Sequence, residues 1–367
     1  MIDKQLKTYA DILVRHSLSL KKNDLFEISG SYLAAPLIKE IYKRALQIGA
    51  HPFTHIGIDY LSEIYYKYSS ENQLKYISQI NRFEIKNIDA RLLIISPENT
   101  RNLTNIDPKK QAISGQANEP ILKIFLERAA KKELRWCVTQ YPTQASAQDA
   151  EMSLADYEDF VFSAAHVNKK NPINYWRTVY KEQEKIRKFL STKKKLHVLA
   201  KDTDLCVSVA GRKWVNCAGK ENFPDGEIFT GPIENSAEGF ISYSFPGSHG
   251  GQEVNDIQLS FKNGIVVKAV ASKGEKLLIS MLDMDSGSRQ LGEFAFGMNY
   301  GIKKYTKNTL FDEKIGGTIH LAIGAGYPET GSKNKSGLHW DMVCDLRKNG
   351  EVYADNELIY KNGRFLS

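Results

Sequence analysis

The chain has 367 residues, 42% of them hydrophobic and 25% charged, which suits a folded globular protein with room for two cores and excludes a disordered one. Its formal charge of +7 comes largely from lysine runs such as Lys193-Lys194-Lys195, Lys131-Lys132 and Lys169-Lys170. These lack interleaved aromatic residues and read as solvated surface, so no nucleic-acid partner is expected. No apolar stretch approaches bilayer-spanning length, and residues 1 to 20 carry no uninterrupted hydrophobic run, so no membrane partner is expected and the expected location is cytoplasmic.

Up to about residue 190, helical and strand patterns take turns. Leu6, Ala10, Leu13 and Val14 mark an amphipathic helix, Leu25 to Ser29 a short strand, and Ala34 to Leu46 a helix that ends near Gly49. Strand candidates follow at Pro52 to Ile58, Ala90 to Ser96 and Leu134 to Thr139, with a helix from Pro120 to Lys131 before the last. Such alternation predicts an α/β domain with a mostly parallel sheet. Neither Gly-x-x-x-x-Gly-Lys nor Gly-x-Gly-x-x-Gly follows any strand, so nucleotide binding is not indicated. A charged helix from Ile173 to Leu190, with Trp176, Val179, Tyr180 and Ile186 as its inner stripe, leads to the boundary predicted at the lysine run. Residues 1–190 then form the α/β domain, and 191–367 a second one.

Beyond that run the texture changes to short alternating strands punctuated by Gly, Asn and Asp. They run at Leu196 to Ala200, Leu205 to Val209, Trp214 to Cys217, Ile228 to Thr230, Gly239 to Ser244, Ile257 to Phe261 and Val266 to Ala271. The second domain should therefore be β-rich, within an α+β class. The four cysteines, Cys137, Cys206, Cys217 and Cys344, show no Cys-x-x-Cys pair; neither a thiolate zinc site nor a disulfide framework is indicated, and the thiols should be reduced.

Residues 291 to 341 hold two of the eight histidines and several carboxylates in apolar surroundings. In Thr318 to Ile323, period-two spacing places His320 on the face opposite Ile319, Leu321 and Ile323. In Leu338 to Val343 it places His339 and Asp341 together, opposite Leu338, Trp340 and Met342. Glu293 is likewise separated from Phe294 and Phe296. Three strands thus each project a metal-capable side chain into a water-poor setting, where a carboxylate needs a positive partner. Glu227, directly after Pro224-Asp225-Gly226, reads on its own as a solvated turn residue. No Gly-x-Ser-x-Gly elbow is present, and Gly247-Ser-His-Gly250 reads as a flexible loop.

Seven segments in order carry a resemblance: Thr203-Asp-Leu205, Gly211-Arg-Lys-Trp214, Asn222 to Thr230, Leu291-Gly-Glu293, Leu310-Phe-Asp-Glu313, His320 to Gly324 and Asn334-x-Ser-x-x-His-Trp-Asp341. Together they resemble the thermophilic-type metallo-aminopeptidase family, the group of aminopeptidases T, S and PepS. The firm matches run from about residue 200 to 341, and weaker ones at Tyr141-Pro-Thr143 and Met152-Ser153 reach into the first domain. The resemblance implies two divalent ions held by Glu227, Glu293, His320, His339 and Asp341, with Glu293 and Tyr327 as catalytic residues. It also implies peptide substrates with a free N-terminus and a homodimer. The chain departs from the family pattern at Lys314, where asparagine usually follows Phe-Asp-Glu, and it is shorter than typical members.

The implied ligand set, imidazoles and carboxylates without thiolates, suits Zn, Co or Mn. A carboxylate bridging two such ions would set them about 3.5–4 Å apart, the spacing that activates a water between them; the sequence leaves open which carboxylate that is. Two rival functions share these residues: another two-metal hydrolase, such as a phosphoesterase or amidase, and a non-catalytic peptide-binding protein.

Overall fold

The computed structural model describes residues 2–249 and 252–366, and their contacts fall into two units. The first holds the chain up to Tyr175 together with Gly219–Pro224; the second holds Trp176–Ala218 and the chain from Asp225 onward. The break after Tyr175 precedes the expected 190/191 boundary. The reason is the helix Pro172–Leu190, most of which packs with the second unit: Leu190 lies in that unit's core, with Ile186 packed against it.

The first unit is the expected α/β domain. Its sheet is parallel throughout, in the spatial order His51–Gly57, Leu25–Ser31, Ala90–Ile95, Arg135–Gln140 and the short Asn222–Phe223. Helix Ala35–Ile48 connects the first two strands of the chain and ends on Gly49 in the left-handed conformation. Helix Pro108–Ala130 is longer than its expected 120–131 span. Asp107 caps it through the Lys109 N–H, Pro108 occupies the first turn, and Pro120 is tolerated inside.

The second unit pairs two antiparallel sheets. One has eight strands and begins from the adjacent Lys195–Ala200 and Thr203–Ser208; the other has five, in the order His339–Asp345, Thr318–Gly324, Leu291–Gly297, Glu227–Thr230 and Val215–Cys217. One core joins them. Leu196, Val198, Leu205 and Val207 come from the first sheet, and Phe294, Phe296, Ile319, Leu321, Ile323, Trp340 and Met342 from the second. Every second residue of the five-stranded sheet thus faces hydrocarbon, and the alternate residues form the opposite face that carries the site.

Two local expectations are corrected. Tyr180 is 46% exposed, and the buried stripe of its helix runs through Trp176, Gln183 and Leu190, with Val179 and Ile186 half-buried between them. Gly247–His249 is a short strand paired with Gln252–Val254 rather than a loop; Gly250 of that motif lies outside the described residues. None of the four cysteines forms a disulfide. Among the described residues, no helix is long and apolar enough to cross a membrane.

Candidate metal centre

The site face is assembled by register. His320 lies opposite Ala295, Asp341 opposite Ala322, Ala322 opposite Glu293, His339 opposite Gly324, and Glu227 opposite Gly297. Four adjacent strands thus deliver the five expected ligands, and small residues between them keep the face open. A bulge between Leu291 and Glu293 is essential to this alignment. It shifts the alternation by one residue, so that Leu291 and Phe294 both enter the core while Glu293 turns to the site. The bulge requires Gly292, since a Cβ there would lie 2.1 Å from the Ala325 carbonyl oxygen.

Glu227 corrects its reading as a solvated residue. It opens the Glu227–Thr230 strand and is only 5% exposed, because the preceding turn is folded under by Asn299. The Asn299 side-chain amide donates to the Asp225 carbonyl at 2.8 Å, and Gly226 adopts φ +124. From the helix Pro172–Leu190, the Gln183 Nε2 donates to the carbonyls of Cys217 and Glu227 at 2.9 and 3.0 Å, and to Asn216 Oδ1 at 2.9 Å.

Glu293 occupies the centre of the cluster. Its Oε1 lies 3.4 Å from His320 Nε2, and its Oε2 lies 3.5 Å from His339 Nε2. His320 Nε2 is also 3.7 Å from Glu227 Oε2, and His339 Nε2 is 3.4 Å from Asp341 Oδ2. Each imidazole turns its other nitrogen to a backbone carbonyl: His320 Nδ1 donates to Glu313 at 3.0 Å and His339 Nδ1 to Ala325 at 2.7 Å. That fixes the tautomer and leaves both Nε2 atoms for a metal.

These residues fit metal ions. Bonds of about 2.1 Å at tetrahedral angles put neighbouring ligand atoms roughly 3.4 Å apart, close to the separations here. Glu227 Oε2 and Asp341 Oδ1 are buried and accept no hydrogen bond, and a buried anionic oxygen without a donor calls for a cation. Two triads have ligand atoms within 4.8 Å of one another, Glu227–Glu313–His320 and Glu293–His339–Asp341.

Without an ion, protons take the cation's part. Burial works against the imidazolium of His320, but hydrogen bonding to Glu293 and the nearby carboxylates outweigh it and lift the pKa to about 9. His339 is lifted in the same way by Asp341 and Glu293, to about 11. The carboxyl of Asp341 is held well below its usual range, burial being overcome mainly by His339.

Two residues that the sequence did not single out as ligands or catalysts join the cluster. Glu313 follows the short helix Thr309–Asp312, whose loop is held by the Asp312 carboxylate accepting from the Thr306 and Asn308 N–H groups at 2.7 and 2.8 Å. Burial pushes the Glu313 carboxyl well above the ordinary range. Lys314, next in the chain, is 1% exposed beside Glu227 and Glu313. The Leu310-Phe-Asp-Glu313 motif was the available signal for the first; nothing local marks the burial of the second.

Tyr327 stands at the rim, 43% exposed, with its ring centroid 5.2 Å from that of His339 and 5.2 Å from that of Phe229. Partial burial and the surrounding carboxylates push its phenol well above the ordinary tyrosine range, so it remains a hydrogen-bond donor.

Such a carboxylate–imidazole cluster suits a metallohydrolase. The sequence matches the thermophilic metalloprotease (M29) family over residues 2–365. It is 26% identical to Aminopeptidase 2 of Geobacillus stearothermophilus, covering 99% of this chain and 98% of that one, and 27% identical to Aminopeptidase AmpS of Bacillus subtilis, with the same coverages. Aminopeptidase T of Thermus thermophilus is 26% identical over 91% of this chain and 88% of its own. The structure of wild-type AmpT from Thermus thermophilus superposes with a TM-score of 0.88, at 23% identity, over all of both chains. The chain belongs to the thermophilic metalloprotease (M29) family, and it is a metallo-aminopeptidase, a hydrolase of peptide bonds.

Proposed function

We propose that this enzyme releases single amino acids from the free N-terminus of peptides, with two divalent ions, Zn, Co or Mn, held by Glu227, Glu293, His320, His339 and Asp341. The observation that carries this reading is the position of Glu293, whose two oxygens face two different imidazoles at 3.4 and 3.5 Å. One carboxylate between two histidines suits a bridging ligand, with Glu227 and His320 on one side and His339 and Asp341 on the other. When bound, such a pair of ions supplies Lewis acidity and a hydroxide nucleophile, lowering the pKa of water from ~15.7 to ~7.

The protein's own groups do the rest. Glu313, a carboxylate beside the cluster paired with Lys314, is placed to take up a proton and pass it to the leaving amine. Tyr327 stays protonated and can donate to the oxygen on which negative charge develops, a contact whose loss costs ~2.7–4 kcal/mol. A free terminal amine offers a lone pair to an ion-bearing cluster, and internal or acetylated nitrogens do not, which would select the terminal residue over internal ones. A homodimer working in the cytoplasm belongs to the same reading; four cysteines outside any disulfide support a reducing compartment.

The test compares Leu-anilide with N-acetyl-Leu-anilide, with and without a chelator, alongside elemental analysis of the protein. Cleavage of the free substrate alone, abolished by chelation, is expected. Equal cleavage of the blocked substrate would favour a broader two-metal hydrolase, and turnover that survives complete metal removal would end the metal reading.

A further inference from the structure

Lys314 places a permanent positive charge inside the cluster, and it does so on one side only. Its Nζ lies 2.5 Å from Glu313 Oε2 and 3.4 Å from Glu227 Oε1, and the side chain is 2% exposed. An ammonium so far from water persists only when carboxylates surround it. The two oxygens of Glu227 are thereby made unlike: Oε1 faces Lys314, while Oε2 faces His320 Nε2 at 3.7 Å and accepts no hydrogen bond. On the other side, the ion pairs of Glu293 and Asp341 among the described residues are with His320 and His339.

The two positions therefore meet an incoming dication differently. At Glu293, His339 and Asp341 the ion meets carboxylates and imidazole with no fixed cation between them. At Glu227 and His320 it meets an ammonium tethered to the backbone one residue from Glu313, which already neutralises part of the negative charge and repels a second cation at short range.

We propose that Lys314 is a built-in counter-cation for Glu227 and Glu313. It makes the Glu227–His320 position the weaker of the two, so the centre fills in order, Glu293–His339–Asp341 first. Lys314 is a positioning residue in this scheme, and the scheme rests on the two-ion reading above. Its consequence is that one ion is held permanently while the other exchanges with the medium, so occupancy of the second position follows the free metal concentration.

The test titrates metal-free protein with Co(II), read by calorimetry and by elemental analysis after gel filtration, for the wild type, K314M, E227Q and D341N. The wild type should bind two ions of distinct affinity. E227Q should delete the weaker class and D341N the tighter one, and K314M should tighten the weaker class by at least about tenfold. Circular dichroism and thermal melting check each fold, and if K314M does not fold, the opposite losses in E227Q and D341N decide. Equal affinities in the wild type, loss of the tighter ion in E227Q, or an unchanged weaker class in folded K314M would overturn the ordering. A single ion in all four proteins would instead reject the two-ion reading itself.

Discussion

The side-chain amide of Gln183 donates to the backbone carbonyl of Glu227 at 3.0 Å, tying a helix to the strand that carries this proposed metal ligand. Gln183 is 2% exposed, and the same nitrogen reaches Asn216 and the Cys217 carbonyl. In Gln183→Leu the buried carbonyls lose their donor, a loss worth about 1–3 kcal/mol. A lower melting temperature and weaker metal binding should appear together. If the melting temperature falls while metal affinity is unchanged, Gln183 supports the fold without orienting Glu227.

Glu293→Gln replaces a carboxylate that faces both imidazoles with an amide, which presents one oxygen and one N–H donor. Metal content should drop, and turnover should fall by roughly a hundredfold or more, the equivalent of about 3 kcal/mol of transition-state stabilisation. Near-normal turnover in a folded variant would show that Glu293 does not bridge.

His339 and Asp341 lie on the same face of one strand and meet at 3.4 Å. If they serve one ion, as proposed, losing either should remove most of what the pair contributes. His339→Ala, Asp341→Ala and the double variant should therefore have similar activity. Losses that multiply in the double variant would mean that the two residues act separately.

The histidines give the metal-free protein a definite pH response. Their folded pKa values, about 9 for His320 and about 11 for His339, lie above the ordinary value of about 6.5. The stability they contribute is complete below about 6.5 and is lost as pH rises through about 9 and then about 11. Ions bound at the same nitrogens, as proposed, would displace those protons, so Zn or Co added at pH 7 should release protons, and apparent affinity should climb with pH toward 9. Thermal melts between pH 6.5 and 10 in chelator, together with proton release in weak buffer, check both. Binding without proton release would show that the imidazoles are neutral before the ion arrives.

Much of the site face could be read from the chain because period-two alternation is local: it separates His320 from Ile319 and Leu321, and His339 and Asp341 from Trp340, wherever those strands pair. The parallel first domain was legible from helical and strand patterns taking turns along the chain. What could not be read depends on partners distant in sequence. Gln183 sits in a charged helix, and only its bonds to Cys217 and Glu227 explain why it, rather than Tyr180, faces inward. Glu227 follows a turn that looks solvated until Asn299 folds beneath it. Lys314 reads as surface by residue type, and its burial follows from Glu227, far back in the chain.

The cross-strand register of His320, Ala322 and Gly324 with Val343, Asp341 and His339 has a consequence for assembly. If the final strand slipped by a single residue, Trp340 and Met342 would turn outward while His339 and Asp341 were driven into hydrocarbon. Ion capture by the proposed ligands would therefore report strand alignment, because a misaligned chain would have no complete ligand set. Since the strand His339–Asp345 follows the strands of Glu227, Glu293 and His320 along the chain, the proposed Glu293–His339–Asp341 position would be complete only after that strand has been made.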